Sequence, residues 1–397
     1  MKVLISGAGI AGPTLAYWLL RYGFEPTIVE RAPSLRTGGY IVDFWGVGFE
    51  VAARMGLVDE IKARGYDVQE VRVVDAEGKQ IAGFPTDVFA RVTQGHFASL
   101  PRGALAEAIY KTIDSKVETI FDESVEELLE DKDGILVSFR RSETRRYDLV
   151  VGADGLHSKV RELAFRPDSS FEKYLGYKVA AFETSDYRPR DELVYVMFTQ
   201  VHKQVTRFAM RGDRTMFLFT FADSGTGDNS DHDVRAQKSQ IRGQFGDSGW
   251  ECPQILAALD RTDELYFDRV SQIVIPERER ANGKDRVVLI GDAAAAVSLL
   301  AGEGSGLAMA GAYILAGELH RSQGNYREAI AKYHERFAPF VRAKQNAALR
   351  LAGTFAPGSA ISLFLRNELM NLLRIRWVAN LALSRTFTDH IELPDYA

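Results

Sequence analysis

The most constraining feature is a glycine turn, Gly7-Ala8-Gly9-Ile10-Ala11-Gly12, that follows the apolar run Val3-Leu4-Ile5 and opens a segment of helical spacing, Thr14 to Tyr22. A G-x-G-x-x-G pattern in that strand-to-helix context is a dinucleotide fingerprint. Gly7 permits the tight turn, Gly9 lets backbone approach a pyrophosphate, and Gly12 lets helix and strand pack closely, while the helix N-terminus offers unpaired N–H groups to the ligand. Gly23 is placed to stop the helix, and Glu25 to Glu30 reads as a second strand, so the chain opens as a βαβ unit. Glu30 ends that strand where a carboxylate accepts from both ribose hydroxyls of an adenosine, which disfavours a 2′-phosphate and leaves NAD or FAD as the resident ligand. Ala11, within the turn, and Arg31, next to Glu30, join the candidate cofactor set.

The texture then changes and returns. Val117 to Arg140 holds two strand-like runs around the Asp131-Lys132-Asp133-Gly134 turn, and Asp148-Leu149-Val150-Val151 reads as a buried strand. From Tyr174 to Phe267 short alternating runs predict an antiparallel sheet with one covered face. Val287 to Ile290 resumes the parallel-strand texture, followed by long helical stretches, Gly304 to Leu319 and Tyr326 to Ala347. The expected fold is α/β. A Rossmann-like dinucleotide domain is assembled from residues 1–75, 99–173 and 280–350, a β-sheet domain from 76–98 and 174–279 is inserted in it, and 351–397 forms a C-terminal helical tail.

Composition narrows the partners. The 397 residues carry 49 Lys+Arg against 54 Asp+Glu, so no basic surplus argues for nucleic acid. Single Cys252 allows no intramolecular disulfide, and the seven scattered histidines show no ligand spacing, so no metal is expected and the cytoplasm is the expected compartment. No stretch reaches the roughly 18 uncharged apolar residues of a membrane span. The nearest, Ser359 to Ala382, carries Arg366, Glu368, Arg374 and Arg376, which reads as an amphipathic helix packed on the body, with a membrane-surface helix as the other reading.

Two further motifs follow the fingerprint: Asp148 to Gly155, ending in Asp154-Gly155 with Arg161 after it, and Arg286 to Ala294, containing Gly291-Asp292 and followed by Ala301-Gly302-Glu303-Gly304-Ser305-Gly306. Each alone is compatible with a plain turn; the three in this order are specific. To about Ala348 the chain resembles the single-component FAD monooxygenases of the para-hydroxybenzoate hydroxylase type, and within them the tetracycline-inactivating branch. The resemblance implies that Gly7, Gly9, Gly12 and Glu30 hold the ADP part of FAD, that Arg102 contacts the cofactor, and that Asp154 and Gly155 serve FAD and transient NAD(P)H binding. It further implies that the Asp292 carboxylate binds the ribityl chain, and that the loop with Arg36, Gly38, Gly39 and Asp43 runs past the isoalloxazine, a solvated loop being the other reading. Gly302, Gly304 and Ser305 open a helix whose N-terminus, near the flavin pyrimidine, would favour an anionic hydroquinone.

Two departures stand out. Ala295, Val297 and Leu299 occupy places where the family usually has a histidine or tyrosine and prolines, and Glu303 replaces a frequent glutamine, a carboxylate that opposes an anionic hydroquinone unless it points away. A single G-x-G-x-x-G argues against flavoproteins with a second dinucleotide domain, and no W-x-W-x-I surrounds Trp18, Trp45, Trp250 or Trp377, against halogenases. His157 reads as a loop histidine rather than an acid or base.

The resemblance implies that NAD(P)H reduces FAD, O2 adds at flavin C4a, and one oxygen passes to an aromatic or polyketide-like small molecule, with no side chain assigned as a catalytic nucleophile. Phe198, Phe208, Met210, Phe217 and Phe219 are candidates to line the substrate cleft, although alternation puts half of them on the other face, where they would be core. Phe44 and Trp45 suit a bulky polycyclic substrate. A monomer or homodimer is expected. The altered 295–299 loop keeps open a non-redox, cyclase-like FAD protein, and a flavin-bearing binding protein is the third reading.

Overall fold

The computed structural model describes all residues except 37, 166–170, 224, 226–232, 278, 280–283, 388, 390 and 397, and only the backbone of 350–354 and 384–387. Five parallel strands form the first sheet in the order Val287–Leu289, Leu149–Gly152, Lys2–Ser6, Glu25–Glu30, Glu118–Phe121. These strands are apolar on both faces because both faces are covered, as parallel sheets require. Val3, Ile5, Val151 and Val288 face a helical layer that includes Ala11–Arg21 and Gly304–Arg321, and Leu4, Val150, Val287 and Leu289 face a three-stranded antiparallel sheet. The expected hairpin is in that small sheet, with Asp131 opposite Gly134 and its carboxylate accepting from the Asp133 and Gly134 amides.

The second large sheet has seven strands, in the order Tyr266–Ile273, Glu172–Ser185, Arg214–Ala222, Lys203–Met210, Val194–Gln200, Glu70–Val74, Gln80–Pro85. All neighbours are antiparallel except Val194–Gln200 and Glu70–Val74, which run parallel. Glu70–Val74 thus belongs to this sheet, so the boundary expected after residue 75 falls one strand late; Val71 and Val73 alternate inward just as a sheet strand demands. The boundary expected at 280 lies outside the described residues. The one expected at 350/351 is crossed by a single helix, Tyr326–Phe355. Helices Val234–Phe245 and Cys252–Arg261 cover the far face of the seven-stranded sheet.

The tail packs on the body. The helix Ala360–Leu372 and the turn after it meet the sheet through polar and apolar side chains: Arg366 donates to Thr199 Oγ1 (3.1 Å) and Gln204 Oε1 (2.9 Å), Asn371 to the Ile81 carbonyl (3.4 Å), and Arg374, just past the helix, to the Gly83 carbonyl (2.9 Å), while Met370 and Leu373 pack with Val71 and Phe84. Gln80–Pro85 is an edge strand, whose free carbonyls need donors. After the last helix, Arg376–Phe387, the chain returns to the first domain as an extended strap: Asp389 caps the Val47 amide (2.7 Å), Arg54 and Tyr313 bind the Pro394 carbonyl, and Tyr396 donates to buried Glu318 (2.6 Å). Among the described residues no helix is long and apolar enough to cross a membrane.

Candidate functional site

The three motifs meet at the C-terminal ends of the parallel strands, where open α/β sheets bind ligands. Gly7 has φ +111°, and a Cβ there would lie 2.5 Å from the Ala153 carbonyl oxygen; a Cβ on Gly12 would lie 2.0 Å from the Gly7 carbonyl oxygen. Gly9 is different. A Cβ there meets only the Arg102 guanidinium, at 3.7 Å, so the space above Gly9 is shaped by a cation rather than by backbone. The helix Ala11–Arg21 begins at Ile10 with no side-chain cap, leaving its first amides to a ligand.

Glu30 is held for its task. Its Oε2 accepts from the Ala8 amide (2.8 Å) and its Oε1 from the Ala32 amide (2.9 Å), which fixes the carboxylate at the strand end. Arg36, largely exposed, lies 3.7 Å from Glu30 Oε1; Arg31 is exposed. Asp43, by contrast, sits at the junction with the large sheet, accepting from Ser99 and Tyr195, and burial pushes its carboxyl pKa up.

Arg102 starts the helix Arg102–Lys111, anchored by its amide on the Tyr40 carbonyl (3.0 Å). Opposite stands Asp292, first residue of a short helix whose cap, Gly291, has φ +58° and packs 3.1 Å (as a Cβ) from Ala11. Asp292 lines the cleft wall; burial raises its pKa, Arg102 pulls it down, and Asp268 raises it again. Gly304 adjoins it, a Cβ there being 3.7 Å from Asp292 Oδ1. Gly302 has φ +69°, and the helix Gly304–Arg321, containing buried Ser305, starts without a side-chain cap, a second donor-rich N-terminus.

Asp154 turns inward instead. Ser158 donates to its Oδ1 (2.5 Å) and the Val160 amide to its Oδ2 (3.1 Å), so both oxygens serve the helix Lys159–Ala164, while Gly155, φ +81°, faces open space. Fully buried Arg161 donates to the Ala293 carbonyl (2.9 Å) and the Leu156 carbonyl (2.6 Å). The second motif therefore braces the third.

The Glu303 carboxylate lies 2.7 Å from Lys344 Nζ, so the objection raised by a carboxylate at this place is met by an ion pair. The loop without prolines is also held. Gln345 Nε2 donates to the Ala296 carbonyl (3.0 Å) and Gln272 Nε2 to the Val297 carbonyl (2.8 Å), two buried amides doing what proline rings do elsewhere.

The register of the large sheet sorts the substrate candidates. Phe208 opposes Met216 and Tyr195, and with Met210 these face Tyr40 and Tyr66 toward the first domain. Phe198, Phe217 and Phe219 lie on the other face, packed on Ile241, Phe245 and Leu256 of the covering helices; they are core and do not line the cleft. Tyr40, Tyr266 and Asp268 escaped the sequence reading. The Tyr40 and Tyr266 rings, 5.4 Å apart, close the cleft near Arg102 and Asp292, burial pushes the Tyr40 pKa up to about 12, and His157 Nε2 lies 3.3 Å from Asp268. Only the pairing of Tyr266 with Ala181 turns that ring inward, and no local pattern announces it.

A profile of the FAD binding domain family matches residues 1–348. A flavin-dependent monooxygenase from an unknown prokaryotic organism is 33% identical over 402 residues, covering 100% of this chain and 99% of the relative. This chain belongs to the FAD-dependent monooxygenases. Another member, from Legionella longbeachae, is 30% identical over 100% of this chain and 98% of its own. Among solved structures, the crystal structure of tetracycline destructase Tet(51) superposes with a TM-score of 0.84 at 32% identity, covering 100% of this chain and 99% of that one. The site fits the family's cofactor: an open glycine cradle under a guanidinium, two uncapped helix N-termini, and carboxylates at Glu30 and Asp292 match a diphosphate between two polyols.

Proposed function

We propose that this monooxygenase consumes NAD(P)H and transfers one oxygen atom of O2 to an electron-rich aromatic or polyketide-like molecule bound between FAD and the inner face of the seven-stranded sheet. The observation that carries the reading is the line from Glu30 through Gly9 and Arg102 to Asp292, which ends where Tyr40, Tyr266 and the Phe208–Met216 face begin. In it, Glu30 receives the adenosine ribose, the amides above Gly9 and the Arg102 guanidinium receive the diphosphate, and Asp292 receives the ribityl hydroxyls. Gly302, Gly304 and Ser305 supply N–H groups toward the pyrimidine.

When bound, the flavin supplies the redox and oxygen-activating chemistry. The chain's own tasks are to bind, to orient and to keep water out. Lys344 holds the Glu303 carboxylate off the N-terminus of Gly304–Arg321, which leaves that positive helix end free to stabilise negative charge. Gln272 and Gln345 fix the 296–297 backbone, and the apolar inner face of the sheet positions a planar substrate. The destructase likeness makes tetracyclines the first compounds to try.

The test is direct. The purified protein is expected to show a flavin spectrum and to oxidise NADH or NADPH faster on adding one member of a panel of tetracyclines and phenols, with a product heavier by one oxygen. Turnover of such a compound without reductant or O2 would replace this reading with the non-redox one.

A further inference from the structure

The inner face of the seven-stranded sheet is graded. Along Lys203–Met210, alternation brings Gln204, Thr206 and Phe208 to this face, each at the centre of a row across neighbouring strands. Phe208 stands between Tyr195 and Met216, Thr206 between Met197 and Leu218, and Gln204 between Thr199 and Thr220. The rows pass from aromatic and thioether to wholly polar over about 13 Å, the rise of four strand residues. Leu218, in the middle row, packs with Leu299 and Leu300 of the loop that follows Asp292.

The polar row is buried, with Thr199, Gln204 and Thr220 no more than 7% exposed, and a cation from the tail reaches it. Arg366 Nη1 donates to Thr199 Oγ1 (3.1 Å) and Asn367 Oδ1 (3.4 Å), and Nη2 to Gln204 Oε1 (2.9 Å), while Gln204 Nε2 donates on to Thr206 Oγ1 (3.4 Å). All these acceptors are neutral. Among the described residues no carboxylate offsets the guanidinium, and burial pulls its pKa down to about 10, so it is charged at neutral pH. A charge taken out of water costs free energy unless an opposite charge meets it. Neutral acceptors need no more than an amide side chain; a guanidinium fork also binds the two oxygens of an acid.

We propose that Arg366 is a specificity-determining residue that anchors an acidic group of the substrate, a carboxylate or an enolate, at the Gln204 end of the inner face, with the ring system lying over Thr206 and Leu218 toward Phe208. A flat fused-ring acid of the length of anthracene-2-carboxylate fits this span. The anchor rests on the substrate position proposed above, and it is read separately from oxygenation.

In the full-length FAD-loaded protein, titrated through the flavin absorbance, anthracene-2-carboxylate is expected to bind about tenfold tighter than anthracene-2-carboxamide. Gln204→Glu supplies Arg366 with a carboxylate and keeps the tail docked, so it should abolish that preference without lowering the melting temperature; Arg366→Gln should abolish it as well. An Arg366 that only ties the tail to the sheet would leave the ratio of the two dissociation constants unchanged in Gln204→Glu. Equal affinities for acid and amide, binding of neither, or an acid preference that survives Gln204→Glu would overturn the anchor. Turnover of a compound without reductant or O2 would overturn the oxygenase reading and leave the acid preference standing.

Discussion

Glu303 and Lys344 form a largely buried ion pair, 2.7 Å between Oε1 and Nζ, and the same ammonium reaches Asp389 of the C-terminal strap at 2.7 Å. One cation thus ties the start of the helix Gly304–Arg321, the middle of the long helix and the chain end. Burial raises the Glu303 pKa, and Lys344 opposes it.

Removing that cation strands two carboxylates. Lys344→Met is expected to cost about 3–5 kcal/mol of unfolding free energy. A carboxyl raised in the folded state contributes stability below its unfolded pKa that is lost as pH rises through the folded value, so the deficit should widen from pH 5 to pH 8. Denaturant titrations at several pH values measure this, and Lys344→Met with Glu303→Gln should recover part of the loss.

The glycines of the fingerprint should part company. Gly9→Val meets only the tip of Arg102, so the protein should fold but purify colourless; Gly7→Ala puts a Cβ against the Ala153 backbone at a positive φ and should not fold. A circular-dichroism spectrum beside the visible spectrum separates the two, and a yellow, fully loaded Gly9→Val protein would contradict the cofactor assignment.

Asp292→Ala should weaken FAD binding by about 1.5–3 kcal/mol, the worth of a hydrogen bond to a charged group. An unchanged FAD dissociation constant in Asp292→Ala would remove the ribityl role.

The two faces of the large sheet predict a split between Phe208 and Phe217. Phe208→Leu and Phe217→Leu should both lower the melting temperature, since Phe208 and Phe217 are equally buried, but only Phe208→Leu, on the face turned toward the first domain, should also change KM for the substrate. Steady-state kinetics on both variants, with melting curves alongside, decide it.

Much of this was legible in the chain because glycine acts locally. A position that lacks a Cβ marks itself, and Gly7, Gly9 and Gly12 with Glu30 announce strand, turn, helix and carboxylate within one βαβ unit. The same holds for Gly291-Asp292 and for Gly302 to Gly306, whose backbone demands are met within a few residues. Strand alternation likewise announced the inserted sheet, since a period of two survives without knowledge of neighbours.

What the tertiary structure alone decided are matters of partner and side. Alternation assigns Phe208 and Phe217 to opposite faces but cannot say which face meets the cofactor domain; that follows from strand order and from the helices Val234–Phe245 and Cys252–Arg261 covering one side. Arg374 looks like a solvated charge until the edge strand presents the Gly83 carbonyl, and Arg366 until the Thr199 and Gln204 side chains of two inner strands stand opposite it. Asp154 looks like an unengaged carboxylate until Ser158 and Val160 bind its two oxygens. The sequence determines which groups each segment carries and the period at which it carries them. Which of those groups are satisfied inside the protein, and which remain to meet a flavin or a substrate, depends on contacts between residues far apart in the chain, and these exist only once it has folded.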